Sequence, residues 1–179
     1  AYTPGELRRL LDAAEGPLRA MLAIGGLAGL RTQEMLRLSW EDVWRKRGLI
    51  DVTHNKSKTR KTRPVEICRS LAAWLQPFRK STGPIWTDTE SVFQKTFNAL
   101  CRKTGVTRKK NGLRHAFCTY AYILHGEDWT ARQAGNTPDM LHAHYKGLAA
   151  TKAEATRWFN VKPTAPANII HLPTKSATA

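Results

Sequence analysis

The sequence predicts a mainly α-helical domain with one small antiparallel β-hairpin, an α+β fold. Three observations indicate this fold. Hydrophobic residues make up 41% of the 179 residues, which is enough for one domain to bury a core. Apolar residues recur at helical spacing along most of the chain, whereas β-branched residues concentrate in two short segments within residues 48–67. We therefore assign one domain to residues 1–162 and a Pro-, Ala- and Thr-rich tail to residues 163–179.

The first helices are predicted from a start signal and from apolar spacing. Residues 3–6 read Thr-Pro-Gly-Glu: a capping residue, a proline at the first helical position and a glutamate three residues after the cap. This signal predicts a first helix that ends at Gly16. Residues 17–29 are almost entirely apolar and predict a buried second helix. The chain turns at Gly29, so we expect Arg31 to lie in the turn before a short third helix.

A β-hairpin is predicted next. Residues 48–53 and 63–67 are short segments rich in β-branched residues on either side of a polar, basic stretch. Pro64 has no backbone N–H to donate, which places the second strand at a sheet edge. We expect the basic stretch between the strands to form a mobile loop.

Helical spacing returns after the hairpin. It predicts six further helices, at residues 70–79, 89–103, 112–125, 129–134, 138–146 and 151–159. The tail that begins at Pro163 contains three prolines and many Ala and Thr residues. We expect this tail to be a loosely held linker or docking arm.

The composition restricts the partners of the chain. It carries 29 Lys and Arg against 14 Asp and Glu, a formal net charge of +15, which favours a polyanionic partner. The longest uncharged apolar run, residues 20–30, is much shorter than the ~20 residues of a membrane-spanning helix, so we predict no membrane association. The three cysteines lack disulfide-framework or metal-ligand spacing. We therefore predict no metal, no cofactor and a cytoplasmic location.

The positive charge concentrates in residues 56–63 and 102–114, with almost no interleaved acid. This distribution indicates contacts to nucleic-acid phosphates rather than a solvated surface of mixed sign. The predicted nucleic-acid-binding residues are Lys56, Arg60, Lys61, Arg63, Arg102, Lys103, Arg108, Lys109 and Lys110.

Two motifs with reactive residues lie in the first half of the chain. A Gly-Leu-Arg turn ends at Arg31 and is followed by Thr-Gln-Glu-Met-Leu, which contains Glu34, and by Leu-Ser-Trp-Glu-Asp over residues 38–42. Lys58 opens the run Lys-Thr-Arg-Lys-Thr-Arg ahead of the second predicted strand.

Two further motifs lie in the second half. The sequence Asn-Gly-Leu-Arg-His-Ala-Phe-Cys-Thr starts at Asn111 and includes Arg114 and His115. The sequence Ala-Gly-Asn ends at Asn136 and is followed nine residues later by Tyr145.

In order, spacing and apolar context, the four motifs resemble those of the tyrosine recombinases, the phage-integrase family. The resemblance covers residues 3–163, and the family's amino-terminal, core-type DNA-binding domain has no counterpart in these residues. It implies the family's catalytic-domain fold, with double-stranded DNA as the partner. It also implies site-specific recombination or integration through a 3′-phosphotyrosyl intermediate. The biological setting implied is phage integration, movement of a mobile element or chromosome resolution.

The resemblance assigns the reactive residues. The implied set is Tyr145 as nucleophile, Arg31 and Arg114 as phosphate clamp, Lys58 as general acid, and Asn111 and Asn136 as further phosphate-facing residues, with Glu34 orienting an arginine and His115 beside the clamp. Both asparagines depart from the family, which usually has His at the first position and His or Trp at the second.

These residue types suit the chemistry. A guanidinium group donates two parallel hydrogen bonds and keeps its charge when buried, which suits a phosphorane transition state. Lys58 stands among other cations, which lower the pKa of an amine towards that of a general acid. Asn111 cannot accept the proton of Tyr145, whose reference pKa is ~10. The phosphate, a water molecule, His115 or His142 remain as acceptors.

Several alternatives stay open from the sequence. The two asparagines are compatible with a DNA-binding relic or regulator that has lost turnover, and the chemistry is shared with type IB topoisomerases. Tyr145 could act in its own protomer or in a neighbouring one. Trp158 and Phe159 either pack in the core or, as the resemblance implies, dock on a neighbour in a homotetramer on DNA. A nucleoid-associated location follows from that partner.

Overall fold

Helices and one two-stranded antiparallel sheet form the computed structural model, which describes residues 1–53, 62–137, 141 and 150–164. The helices are α1 (Pro4–Ala13), α2 (Gly16–Leu27), α3 (Thr32–Met35), α4 (Trp40–Trp44), α5 (Arg69–Leu75), α6 (Glu90–Thr104), α7 (Gly112–His125), α8 (Glu127–Ala134) and α9 (Lys152–Phe159), with a 3-10 turn at Gln76–Phe78. The strands are β1 (Leu49–Thr53) and β2 (Thr62–Glu66). The predicted fold class is confirmed.

The capping signals read from the sequence form as expected. At the start of α1, the Thr3 side chain accepts a hydrogen bond from the backbone N–H of Glu6, and the Glu6 carboxylate accepts one from the backbone N–H of Thr3. Thr151 and Glu154 form the same reciprocal pair at the start of α9. Each pair satisfies backbone donors that a helix start leaves without a partner, which fixes where both helices begin.

Three helix predictions need comment. Helix α4 was not predicted, although Ser39 and Asp42 form a capping box at its start that the sequence Ser-x-x-Asp could have signalled. Helix α8 begins at Glu127, two residues before the predicted start, because Gly126 has a φ of +79° and separates it from α7. The helix predicted at residues 138–146 lies outside the described residues, apart from Leu141.

Helix α2 lies at the centre of the core. Its residues from Ala20 to Leu27 are all buried, which explains why the segment is apolar on every face. Trp158 of α9 is fully buried, and its indole N–H donates to the backbone oxygen of Gly26 at 2.9 Å. Of the two alternatives for Trp158, the structure supports packing in the core of its own domain.

The sheet connects the core to helix α8. Strands β1 and β2 pair from Leu49 opposite Glu66 to Thr53 opposite Thr62. On the other side of β2, the backbone N–H of Glu66 donates to Oε1 of Gln133 at 2.9 Å. The side chain of Gln133 therefore ties this strand to the carboxyl end of α8. The basic loop predicted between the strands lies outside the described residues.

The segment after α9 is held by side chains of other helices. Trp74 donates to the backbone oxygen of Val161 at 2.8 Å, Ser70 donates to that of Phe159 at 2.5 Å, and Arg8 donates to that of Lys162. Residues 165–179 of the predicted tail lie outside the described residues. Within the described ranges, no helix combines the length and the apolar character that crossing a bilayer requires.

Candidate active site

The carboxyl end of α8 gathers three arginines from three different elements. The backbone carbonyl groups at the end of a helix lack intrahelical partners and carry the negative end of the helix dipole, which favours cations there. Three successive carbonyl groups accept arginine hydrogen bonds: that of Gln133 from Arg63 of β2, that of Ala134 from Arg114 of α7 at 2.7 Å, and that of Gly135 from Arg31 before α3 at 2.7 Å. We call residues 133–136 the α8 platform.

Gly135 makes this platform possible. Its φ of +65° lies in the left-handed region that favours glycine, and it ends α8 as a C-cap. A Cβ atom at this position would lie 2.7 Å from Nε of Arg63, well inside van der Waals contact. Glycine is therefore needed both for the backbone conformation and for the close approach of Arg63.

Arg31 and Arg114 converge on one oxygen atom. Asn136 Oδ1 accepts a hydrogen bond from Nη2 of Arg31 at 2.9 Å and another from Nη2 of Arg114 at 2.7 Å. Because arginine has donors and no acceptor, the amide must present its oxygen to this pair. The two guanidinium groups are thus held around a single acceptor atom.

The turn at Gly29 positions both Arg31 and Arg114. Gly29 has a φ of +69°, and a Cβ atom there would lie 2.2 Å from the ring of Phe117, so the turn packs directly on α7. Nη1 of Arg114, in the first turn of α7, donates to the backbone oxygen of Gly29 at 2.5 Å. As the sequence predicted, Arg31 follows this turn and precedes α3.

Glu34 is the carboxylate of the cluster. Its oxygens accept from the backbone N–H of Arg31 at 2.9 Å, from Nη1 of Arg31 at 3.1 Å and from Nη2 of Arg63 at 3.1 Å. Burial raises the pKa of Glu34, but the Arg31 backbone N–H and the charges of Arg63, Arg31 and Arg114 outweigh it, so this pKa lies below its ordinary value. Glu34 is therefore ionised at neutral pH.

Exposure separates the arginines. The side chain of Arg31 is 41% exposed, whereas those of Glu34 and Arg63 are 10% and 12% exposed. Arg114 is partly buried, and burial lowers the pKa of its guanidinium group. Arginine remains charged even so, because its unperturbed pKa lies far above neutral pH. A ligand can reach Arg31 directly, while Arg63 faces the protein.

A cleft of ≈ 770 Å³ opens beside the arginine pair, and Arg31, Arg114 and Asn111 all line it. Leu30, Met35, Phe93, Phe97 and Leu113 supply its apolar lining. Asn111 is exposed and has a φ of +52° at the start of α7, a conformation that asparagine tolerates better than most non-glycine residues. His115 lies exposed in the same first turn of α7.

The predicted phosphate-binding cations in residues 102–114 divide into two groups. Arg102, Lys103 and Lys110 are exposed. Arg108 lies over the ring of Phe97, with 4.0 Å from its Cζ to the ring centroid, and donates to Gln94 at 2.8 Å. Lys109 donates to the Glu6 carboxylate at 2.9 Å. The last two cations are engaged within the protein.

The structure leaves part of the predicted set unplaced. Tyr145, Lys58, Lys56, Arg60, Lys61 and His142 lie outside the described residues. Of the others, the structure brings together Arg31, Glu34, Arg114 and Asn136. Sequence reasoning missed the carbonyl groups of the α8 platform and the contact between Arg63 and Glu34. Backbone acceptors leave no mark in a sequence, and the two side chains are 29 residues apart.

Comparisons with known proteins identify the family and the fold. Residues 2–131 match the model of the Phage integrase family. The fold is similar to the crystal structure of XerA recombinase, with 18% identity, a TM-score of 0.68, and coverage of 87% of this chain and 62% of that one. It is also similar to a lambda integrase(75-356) dimer bound to a COC′ core site, with 15% identity, a TM-score of 0.63, and coverage of 84% and 61%. The chain therefore spans about three fifths of each structure. No curated protein matches the sequence.

Proposed function

The chain belongs to the phage integrase family, and from that premise we propose that it is the catalytic part of a site-specific tyrosine recombinase. It cuts and rejoins double-stranded DNA through a 3′-phosphotyrosyl intermediate. The observation that carries this proposal is the convergence of Arg31 and Arg114 on a single oxygen, Oδ1 of Asn136.

That oxygen marks where a phosphate oxygen would bind. A non-bridging phosphate oxygen is an acceptor like the amide oxygen but carries negative charge, so its hydrogen bonds to guanidinium groups are roughly twice as strong as neutral ones. Ala134 and Gly135 already hold the two arginines through their carbonyl groups. Donors fixed in advance need little reorganisation when charge develops on the phosphorus centre.

The chemical step uses residues that the sequence motifs supply. Tyr145 forms a bond from its phenolic oxygen to the scissile phosphorus, and the 5′ oxygen of the DNA leaves with a proton from Lys58. The tyrosine proton passes to the phosphate, a water molecule, His115 or His142. A 5′-hydroxyl group of another strand reverses the step, so the energy of the phosphodiester bond is conserved and no nucleotide is consumed.

The partner is double-stranded DNA, approached through the net charge of +15. The exposed cations Arg102, Lys103 and Lys110 suit contacts to phosphates. We propose a homotetramer on DNA joined through the carboxyl-terminal segment, and a nucleoid-associated, cytoplasmic location.

The test is covalent capture on a nicked suicide substrate, in EDTA and without nucleotide. Tyr145 should become attached to the 3′ phosphate, and mass spectrometry should locate the adduct. Tyr145→Phe should bind DNA and form no adduct. An adduct on Tyr120 or Tyr122 instead would overturn the motif assignment. Tyr120 is buried and donates to the backbone oxygen of Tyr2, which makes it a stringent internal control.

A second candidate function rests on the two asparagines. Asn111 stands where the family usually has His, and Asn136 stands where it usually has His or Trp. The oxygen position between the arginines is filled by the protein's own amide. These features suit a DNA-binding relic or regulator. In that case the suicide substrate is bound tightly by the wild-type protein, but no adduct forms.

A further inference from the structure

Arg63 has a different environment from the phosphate contact that the sequence suggested. Its side chain is only 12% exposed, and its two terminal nitrogens donate to Oε2 of Glu34 and to the backbone oxygen of Gln133. Its Nε is buried, has no hydrogen-bond partner among the described residues, and lies so near Gly135 that a Cβ atom added there would be 2.7 Å away. Both hydrogen-bond partners of Arg63 belong to the protein, and one of them, Gln133, is part of the α8 platform.

The charges of the cluster give this contact a consequence. Glu34 bridges Arg31 and Arg63 through an ion pair of 3.1 Å on each side. With Arg31 as its only partner, a buried carboxylate would cancel much of the charge that Arg31 offers to a ligand. Arg63 supplies a second cation to the same carboxylate, which leaves Arg31 and Arg114 with two net positive charges between them.

We propose that Arg63 is a positioning residue that neutralises Glu34, so that Arg31 and Arg114 both keep their charge for the scissile phosphate. The inference rests on the proposed function, since it concerns the same site. Glu34 still fixes the orientation of Arg31 through its backbone and side-chain contacts. Arg63 removes the electrostatic cost of having that carboxylate beside a phosphate.

The charge of the site can be varied with side chains of similar size. Arg63→Met removes one positive charge and keeps an apolar stem of similar length. Glu34→Gln removes the negative charge and keeps an oxygen that accepts from Arg31. The double variant restores the net charge of the wild-type cluster, and it removes a buried ion pair as a unit, which is far less disruptive than removing one partner.

Two readouts are measured on wild type, both single variants and the double variant. The first is binding of inorganic phosphate, followed by its protection against thermal unfolding. The second is the single-turnover cleavage rate on saturating suicide substrate. Arg63→Met should weaken phosphate binding about tenfold, from the Coulomb effect of one charge several ångströms away. Adding Glu34→Gln should restore most of the phosphate affinity and most of the cleavage rate that Arg63→Met loses. Arg79→Met, which removes the same charge from an exposed position, should change neither.

The alternatives give different results. If Arg63 only ties β2 to α8, the double variant stays as impaired as Arg63→Met. If Arg63 contacts DNA, its loss leaves the phosphate affinity of the site unchanged and, in a separate titration of DNA binding, lowers the salt slope by about 0.9. Either result overturns the proposal. If Arg63→Met does not fold, the other three proteins still test the proposal. Phosphate affinity should then be highest for Glu34→Gln and equal for wild type and the double variant. A double variant that binds phosphate much more weakly than wild type contradicts the proposal.

Failure of the proposed function is visible separately. A wild-type protein that forms no adduct on the suicide substrate contradicts the recombinase assignment. The phosphate-binding series does not depend on cleavage, so it decides the role of Arg63 in either case.

Discussion

Helices α6 and α8 both end at a left-handed glycine, but the cations near the two helix ends have different partners. Each ends in a left-handed glycine, Gly105 with a φ of +64° and Gly135 with a φ of +65°. At the end of α6 the cations belong to the helix itself, as Arg102 and Lys103, and both are exposed. Helix α8 also has an exposed cation of its own in the last turn, Arg132, but three arginines from other elements donate hydrogen bonds to the backbone carbonyl groups at its end.

The difference teaches that the role of a cation depends on its partners. Exposed cations on α6 can neutralise DNA phosphates and release the counterions bound to them, which raises affinity without requiring a fixed geometry. Arginines held by the α8 platform have fixed directions, which is what a transition state requires. We therefore expect substitutions at the two helix ends to affect different quantities: DNA affinity at α6 and the rate of cleavage at α8.

The largest effect is expected from a clamp arginine. Arg114→Ala should lower the single-turnover cleavage rate by ~10² or more, as does removal of other preorganised donors. The rate is measured at saturating DNA, so that changes in affinity do not contribute. Thermal unfolding should be recorded in parallel, because Arg114 also bonds to the backbone of Gly29 and Ala134. A folded variant with the wild-type rate would remove Arg114 from the clamp.

The two terminal glycines offer a matched pair. Gly105→Ala should cost ~1 to 2 kcal/mol of unfolding free energy, because it forces an alanine into the left-handed region and its Cβ meets nothing within 4 Å. Gly135→Ala pays the same backbone cost and also clashes with Arg63, which adds about 1 to 3 kcal/mol of overpacking. Denaturant unfolding measures both. Only Gly135→Ala should also reduce cleavage, and equal behaviour of the two variants would contradict a special role for the α8 end.

A histidine in place of Asn136 tests the convergence of the arginines. A protonated histidine at position 136 is a charged donor, which considered by itself would strengthen a hydrogen bond to phosphate. In the structure, Oδ1 of Asn136 accepts from two guanidinium groups, and a protonated imidazole accepts from none. We expect about tenfold slower cleavage, since hydrogen bonds to charged groups are lost, with the defect growing as pH falls through about 6.5. A faster variant would show that Asn136 does not organise the clamp.

The smallest expected effect concerns acid stability. The folded-state pKa of Glu34 is lowered, so its ionised form stabilises the fold above the unfolded-state pKa of about 4.3. That stabilisation is lost as pH falls from there through the folded-state pKa. Glu34→Gln should therefore flatten the dependence of unfolding free energy on pH below about 4.3. A pH dependence identical to that of wild type would mean that Glu34 is not paired as described.

The sequence predicted those parts of the molecule that depend on local signals. The start of α1, the two strands and the turn before Arg31 each follow from a few neighbouring residues, and they form as expected. The partners of the cations depend on distant contacts. Lys109 pairs with Glu6 across 103 residues, and Arg63 reaches the backbone of Gln133 across 70. No local pattern distinguishes such cations from exposed ones.

The central claim is that the arginines bound to the α8 platform determine the rate of the chemical step, whereas the exposed cations in residues 102–114 determine the affinity for DNA. The most direct test compares Arg114→Ala with Lys103→Ala, measuring the salt slope of DNA binding between about 50 and 200 mM and the cleavage rate at saturation. We predict that Lys103→Ala, at the exposed end of α6, lowers the slope by about 0.9 while Arg114→Ala leaves it near wild type and loses cleavage. Equal reductions of the slope, with equal rates of cleavage, would contradict the claim.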